Sequence, residues 1–341
     1  MEKLMGRPDG YYLKNVNPYQ KIMPHIMKDR SDAMNMGIFE FNYEPIEQYI
    51  EQTYKETGVK YSYMDIITCA LIRLFAMRPS LNRFVMHNKI YQHNDITLSF
   101  VVKKKLQDNS DDTTVKIHFT GEETLAQVKE QIDKVIAENT GEKAYNGTDN
   151  LAKTLTTIPH WVIRIVVGLL IWLDKHNLLP KSVIEFSPFH NSLFVTYLKS
   201  INGDSIYHHC YNFGTTGIFI ALGKEKSKAV VECGEIKIRK MMDLRCVMDE
   251  RFCDGMYFVN SMRLFKRLVA RPKLLEQPYK IEETLENGLH DKETKEMYEQ
   301  LRKQRAQKIK EEKKQAKIQA RLDAKKAKEE KRLAKKQQKN K

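Results

Sequence analysis

Five cysteines stand in 341 residues, Cys69, Cys210, Cys233, Cys246 and Cys253, with no C-x-x-C pair and no even framework of spacings. That excludes a disulfide scaffold, and since each lies in or beside an apolar run, they read as reduced, mostly buried thiols of a cytoplasmic protein. No metal site is expected. A membrane-spanning run is also lacking. The best candidate, WVIRIVVGLLIWL (161–173), has thirteen residues and contains Arg164, where a span needs about 20 apolar residues; a buried or groove-lining helix is expected instead. The N-terminal stretch MEKLMGRPDGYYLKNVNPYQ has no apolar core, so it is neither a signal peptide nor an anchor.

Basic charge is scarce where a nucleic-acid surface would need it. Of the net charge of +14, residues 291–341 hold +11, from 20 Lys/Arg against 9 Asp/Glu, leaving +3 for residues 1–290. Contact with nucleic acid could be made only through that tail, and no aromatic follows Tyr298 there to stack a base. The tail is rich in Lys, Glu, Gln and Ala with scattered Leu and Ile. It is expected to be a solvated, partly formed helix held by i,i+4 charge pairs, or disordered, and too poor in apolar residues for a coiled-coil seam of its own.

What is present is a body with 41% hydrophobic content over the whole chain, enough for a large core. From Tyr63 the apolar residues recur at three- and four-residue spacing until Pro79, which predicts a core-facing helix. DITLSFVV (95–102) and TTVKIHF (113–119), around the turn-rich QDNSDD (107–112), predict a strand pair. Leu125 to Ile136 marks a second amphipathic helix, and ENTGEKAYNGTDN (138–150) a polar loop. SLFVTYL (192–198), TTGIFIALG (215–223) and EIKIRKMMDLRCVMD (235–249) follow as strands. In the last, Met242, Leu244, Cys246 and Met248 share one face and Asp243, Arg245, Val247 and Asp249 the other. Phe258, Met262, Phe265, Leu268 and Val269 define a final helix ending at RPKLLEQP. Helices and strands mixed without a strict βαβ rhythm point to an α/β or α+β domain with a mixed sheet.

The stretch DERFCDG (249–255) stands where the last strand ends and the last helix begins. Asp254 suits an N-cap there, a role worth about 1 kcal/mol that needs no chemistry around it. Its surroundings say more. DERFCDGMYFVNSMRLFKRLVARPKLLE resembles the C-terminal signature of the acyltransferase catalytic domain of 2-oxo acid dehydrogenase complexes, and of the related chloramphenicol acetyltransferases: His-x-x-x-Asp-Gly at a strand-to-helix junction, an amphipathic helix and a Pro-Leu-Leu-like end. SYMDIITCALIRLFAMRPSLNRFVMHNKIYQHNDITLSFVV is similar to the family's helix, P-x-x-N turn, short hairpin and strand, and FVTYL with FGTTGIFIALGK to its late strands. The similarity runs in the family's order over roughly residues 15 to 276.

The resemblance implies a chloramphenicol acetyltransferase-like fold, a mixed sheet flanked by helices. It implies a homotrimer with the site between subunits, and coenzyme A or its acyl thioester as substrate beside a small-molecule acceptor. Residues 1–14 would be an N-terminal extension, 15–280 the acyltransferase domain with a helical insertion near 155–180, and 281–341 the charged tail. The insertion fits the family pattern poorly and would line the acyl side or a subunit contact. Nothing before the domain matches a lipoyl domain with its attachment lysine, so a free-standing acyltransferase fits better than the core of a larger complex.

The family's general base falls on Glu250, where the histidine is missing. Imidazole exchanges protons near neutral pH, whereas a glutamate starts near 4.3 and needs burial to become a comparable base. Three readings stay open: Glu250 is a tuned base, it is a structural acid in a site that lost or changed its chemistry, or another base has taken over. His208 and His209 in IYHHCYNFGTT are the substitutes at hand, with His190 in SPFHNS a third. The hydroxyl that holds the oxyanion falls on Thr196 in FVTYL, whose plain reading is a β-branched strand residue. Tyr197 and Lys199 replace residues that shape the acceptor side in the dehydrogenase branch. Asp254 and Gly255 keep the motif's turn, and the resemblance pairs Asp254 with an arginine from the N-terminal segment, Arg30 here unless the alignment slips to Lys28.

Overall fold

The computed structural model describes residues 7–103, 112–139 and 157–279, with Gln315 alone beyond them. Residues 107–111 of the turn expected at 107–112, most of the polar loop expected at 138–150 and all of the charged tail but Gln315 lie outside the described residues, and Asp112 begins a strand.

Six strands form the main sheet in the order β2-β9-β8-β7-β5-β6: β2 Met34–Asn42, β5 Ile96–Lys103, β6 Asp112–Phe119, β7 Leu193–Tyr197, β8 Ile218–Glu232 and β9 Glu235–Asp249. β7 runs parallel to both β5 and β8, and the other pairs are antiparallel. The sheet is therefore mixed, as the sequence pattern requires. A second, three-stranded sheet joins β1 (Gly10–Tyr12), β4 (Lys89–His93) and β3 (Arg83–Met86). His87 and Asn88 both take positive φ between β3 and β4, the two-residue turn whose twist suits a hairpin. β1 comes from the stretch read as an N-terminal extension, and Arg7 just before it is 6% exposed.

Alternation along the strands gives the main sheet two different faces. On one, directly paired Val195, Ile220 and Cys246 join the principal core. It is closed by helices α2 (Glu44–Thr57), α3 (Tyr63–Met77), α4 (Leu125–Asn139) and α7 (Gly255–Val269); α1 (Pro18–Ile26) precedes them in the chain. α3 opens with a reciprocal capping box: Ser62 Oγ accepts from the Asp65 N–H and the Asp65 carboxylate from the Ser62 N–H, satisfying two donors of the first turn. It buries an unbroken run from Asp65 to Phe75 and is sandwiched between α7 and α4. On the other face Phe194 stacks on Phe219 at 4.8 Å, with Val247 and Cys210 beside them. Met36 and Ile38 on β2 point to that face and are 52% and 46% exposed.

The apolar segment 161–173 lies within helix α5 (His160–Lys175), and of the two expectations, a buried or a groove-lining helix, the buried one fails. Trp161, Ile165, Leu169 and Trp172 are all more than half exposed, and Asp174 is the helix's buried residue. The reason lies at its C-terminal end. Arg7 Nη2 donates to Asp174 Oδ1 at 2.7 Å and Arg7 Nη1 to the Asp174 carbonyl at 2.9 Å, so a charged clasp holds that end while the apolar body stays outside the core. No helix among the described residues is long and apolar enough to cross a membrane. α6 (Lys181–Phe186) follows and meets the second sheet face, where its Ile184 carbonyl accepts from Lys116 Nζ at 2.7 Å.

Phe265 tests the core that positions the last turn. It is fully buried and edge-to-face with Phe41 at 5.7 Å, so Phe265→Ala is expected to cost about 3–5 kcal/mol, read as a lower urea midpoint with an unchanged slope.

Candidate active site

The turn between β9 and α7 is organised by Asp249, not by the residues that the resemblance singles out. Asp249 is fully buried. Its carboxylate accepts from Arg251 Nε at 2.8 Å, Arg251 Nη2 at 2.6 Å and the Arg251 N–H at 3.1 Å, and Arg30 Nε lies 3.5 Å away. The two-toothed grip matches the planar guanidinium to the carboxylate. Arg251 Nη1 also donates to the carbonyls of Met27 and Lys28. Arg30 donates to the Gly214 carbonyl at 3.0 Å and to that of Tyr211. Three segments distant in sequence thus meet at one acid.

This corrects the expected pair: Arg30 serves Asp249, and Asp254 is free to cap. The Asp254 carboxylate accepts the Tyr257 N–H at 2.9 Å from an extended backbone conformation, as an N-cap does, and Gly255 begins α7. Lys28 contributes its carbonyl to Arg251. Gly214 is the other fixed point: it adopts φ +81° and a Cβ there would lie 2.1 Å from the Phe189 carbonyl, so only glycine fits.

Glu250 begins the turn. Its N–H donates to the Ala33 carbonyl at 2.9 Å while the residue is exposed, and no hydrogen bond or ion pair of its carboxylate is found among the described residues. The single chain supplies none of the burial that would make it a tuned base.

Thr196, near the end of β7, pairs with Ala221, which pairs with Arg245. It therefore faces the side of the sheet away from the principal core, half-buried. Glu250 is five residues beyond Arg245 and two strands across, which at strand spacings amounts to about 19 Å. One chain does not bring the two together. His208 comes closer to Thr196: its ring stacks on Phe219 at 3.9 Å on that same face, and its Nδ1 meets the His209 carbonyl at 2.9 Å. His209 is exposed and stacks on His208. His190 lies elsewhere, buried with Nδ1 2.7 Å from Ser187 Oγ and Nε2 3.2 Å from Asp174 Oδ2.

Tyr197 turns the other way, hydrogen-bonded to Thr68 of α3 and edge-on to Tyr63, and burial pushes its phenol well above the usual range. Lys199 pairs with Glu225 and sits 4.8 Å over the Tyr43 ring. Both are tied into packing. The residues that sequence reasoning missed are Asp249 and Arg251; the acid-x-Arg spacing at a strand end is their only signal in the chain.

Breaking the Asp249 cluster and removing the cap should differ in size. Asp249→Ala leaves Arg30 and Arg251 buried without a carboxylate, their main-chain carbonyl bonds remaining, and is expected to cost about 3–5 kcal/mol, whereas Asp254→Ala should cost about 1 kcal/mol; equal losses in denaturant unfolding would contradict this assignment.

Comparison with known proteins adds a family match over part of the chain. Residues 214–276 match the model of the 2-oxoacid dehydrogenases acyltransferase (catalytic domain). No curated protein matches the chain. Among solved structures, a probable dihydrolipoamide acetyltransferase from Listeria monocytogenes is 14% identical, with 76% of this chain and 94% of that one covered and a TM-score of 0.49. The dihydrolipoamide acetyltransferase of Azotobacter vinelandii is 11% identical over 76% and 93%, with a TM-score of 0.48. A chloramphenicol acetyltransferase is 13% identical over 74% and 96%, with a TM-score of 0.44. The matched segment runs from Gly214 through β8, β9, the Asp249 turn and α7 to Glu276, and there the chain resembles the 2-oxoacid dehydrogenase acyltransferase catalytic domain.

Proposed function

We propose that the protein is a coenzyme A-dependent acyltransferase that works as a homotrimer, with each site shared between two subunits. The observation that carries this reading is the match over residues 214–276, which covers the turn that the buried Asp249 cluster holds. The separation of Thr196 from Glu250 supports a shared site, since a second chain can bring one subunit's turn to its neighbour's β7. Exposed Met36 and Ile38 beside that sheet face are apolar surface such an assembly would cover.

The chemistry divides among few groups. A base takes the proton of a small thiol, hydroxyl or amine acceptor as that atom attacks the thioester carbonyl. The Thr196 hydroxyl donates to the oxyanion that forms, where a donor acts most strongly in a water-poor setting. Collapse expels the coenzyme A sulfur, which leaves with a proton as the free thiol. Glu250 is the base if a neighbouring subunit buries it, and His208 is the alternative on Thr196's own sheet face. The free cysteines, four of them buried, support a cytoplasmic location.

The exposed carboxylate of Glu250, without a partner among the described residues, favours a second reading, a trimer that keeps the fold and binds an acyl or coenzyme A ligand without turnover. The two separate in one set of measurements. Coenzyme A should raise the midpoint of thermal unfolding, since a ligand of the native state stabilises it. An active protein should release free thiol from acetyl-coenzyme A, and Thr196→Val should slow this about 100-fold. Loss of that activity in Glu250→Gln with retention in His208→Gln would assign the base, and the converse would assign His208. Thermal protection without turnover across thiols, amines and alcohols would establish the binding protein.

A further inference from the structure

Helix α5 carries both tryptophans of the chain, Trp161 and Trp172, one near each end. At 3.6 residues per turn Trp161, Ile165, Leu169 and Trp172 fall within an arc of about 80°, and each is more than half exposed. The space beside this stripe is open: a Cβ placed on Gly168, which borders it, would meet no atom within 4 Å.

The charge around the stripe is of one sign. Arg164 and Lys175 flank it on one side, within about 60° of Trp161 by the same helical geometry, and Lys181 follows at the start of α6. All three are exposed, and none has an ion-pair partner among the described residues. The two acids between residues 157 and 190 are engaged elsewhere. Asp174 is buried against Arg7, and Glu185 Oε1 lies 2.8 Å from His118 Nε2. His160 and His176, exposed at the two ends of the helix, can only add positive charge. At the C-terminal end His87 Nδ1 meets the Lys175 carbonyl at 3.1 Å and its ring packs on that of His176, which brings up the hairpin that carries exposed Lys89.

Unpaired cations beside an apolar stripe that has a tryptophan near each end are the complement of an anionic bilayer surface. There indole rings settle at the headgroup level, aliphatic side chains reach the first part of the acyl chains, and lysine and arginine stems extend to the phosphates. With 16 residues α5 is about 24 Å long, short of the roughly 30 Å hydrocarbon core, so it fits along such a surface and not across it. We propose that α5 is a peripheral docking helix that seats the protein on an anionic lipid surface, with Trp161, Ile165, Leu169 and Trp172 in the interface and Arg164, Lys175 and Lys181 on lipid phosphates. A second copy of the chain is the poorer match, because packing the stripe on itself across a two-fold axis sets Arg164 and Lys175 against cations, with no acid on that face to receive them. The surface is also separate from the one offered above to a neighbouring subunit, since Met36 and Ile38 lie on the edge strand β2. It stands or falls without the acyl-transfer reading.

Because the chain has no other tryptophan, its intrinsic fluorescence reports on this helix alone. Vesicles of equal parts phosphatidylcholine and phosphatidylglycerol, added to the full-length protein, should shift the emission to the blue, and brominated acyl chains should quench it. Pure phosphatidylcholine vesicles should bind about tenfold or more weakly. Arg164→Gln and Lys175→Gln should each weaken binding to the anionic vesicles about fivefold. Ile165→Asp combined with Leu169→Asp should abolish it while the urea midpoint stays as in the wild type, since both side chains are exposed. Vesicle binding with unmoved tryptophan emission, or binding that the paired aspartate variant retains, would assign the contact to the +11 of residues 291–341 and overturn the proposal. Equal affinity for the two vesicle compositions, or no binding to either, would overturn it too. A blue shift that needs no lipid and grows with protein concentration would make a second copy the occupant instead.

Discussion

A carboxylate fully withdrawn from water holds the most consequential turn of this protein in place. A carboxylate at that depth needs donors in place of its hydration, and Arg251 supplies Asp249 with two side-chain nitrogens and a main-chain N–H. Arg30, itself buried, adds the second positive charge at 3.5 Å and extends the cluster to the carbonyls of Tyr211 and Gly214. The consequence is positional. The segment around Met27 to Ala33, the loop entering β8 and the β9–α7 turn cannot move separately without stripping a buried ion of its partners. Glu250 follows Asp249 directly, so its backbone is fixed while its side chain is left outside. Under the proposed shared site, that arrangement suits a residue that meets a group from a neighbouring chain.

The two faces of the main sheet divide the work. The face packed by α3, α4 and α7 is closed and apolar and supplies the cohesion. The other carries Thr196, the Phe194–Phe219 stack with His208 lying on it, and the exposed pair Met36 and Ile38. Thr196 and His208 thus share one side of the sheet, with the motif turn about 19 Å from Thr196 by strand spacing.

Much of the fold was legible because period and burial coincide. EIKIRKMMDLRCVMD alternates, and it forms β9 over the same residues, with Met242, Leu244, Cys246 and Met248 all in the principal core. The run from Tyr63 repeats at helical spacing and stops before Pro79, and α3 ends at Met77. Hydropathy misled at WVIRIVVGLLIWL, because an apolar helix and a buried helix are the same string until something covers it; the clasp by Arg7 comes from about 167 residues earlier in the chain, beyond any local window. The site was half legible for a related reason. Asp254 as a cap is a local event, written in four consecutive residues. The partner of Arg30 is not local, and two acids five positions apart competed for it. Burial decides between them, since Asp254 sits exposed at the helix start while Asp249 faces inward.

Electrostatic clasps also explain how the segment after α4 joins the body despite its exposed apolar helix. Arg7 is gripped by Asp9 on one side and Asp174 on the other, and Asp174 in turn faces His190, whose Nδ1 meets Ser187. This line of buried polar groups runs from the N-terminal segment through the end of α5 to the loop after α6. It does by charge what the core does by packing, and a separate bond, from Lys116 to the Ile184 carbonyl, ties α6 to β6. The clasp leaves Trp161, Ile165, Leu169 and Trp172 of α5 as surface, while Val162, Ile163 and Val166 are partly buried. An all-round apolar helix is stable in water only when its ends are anchored or its sides are covered. Here the anchoring is complete at one end, which separates the question of how the helix is held from the question of what it meets.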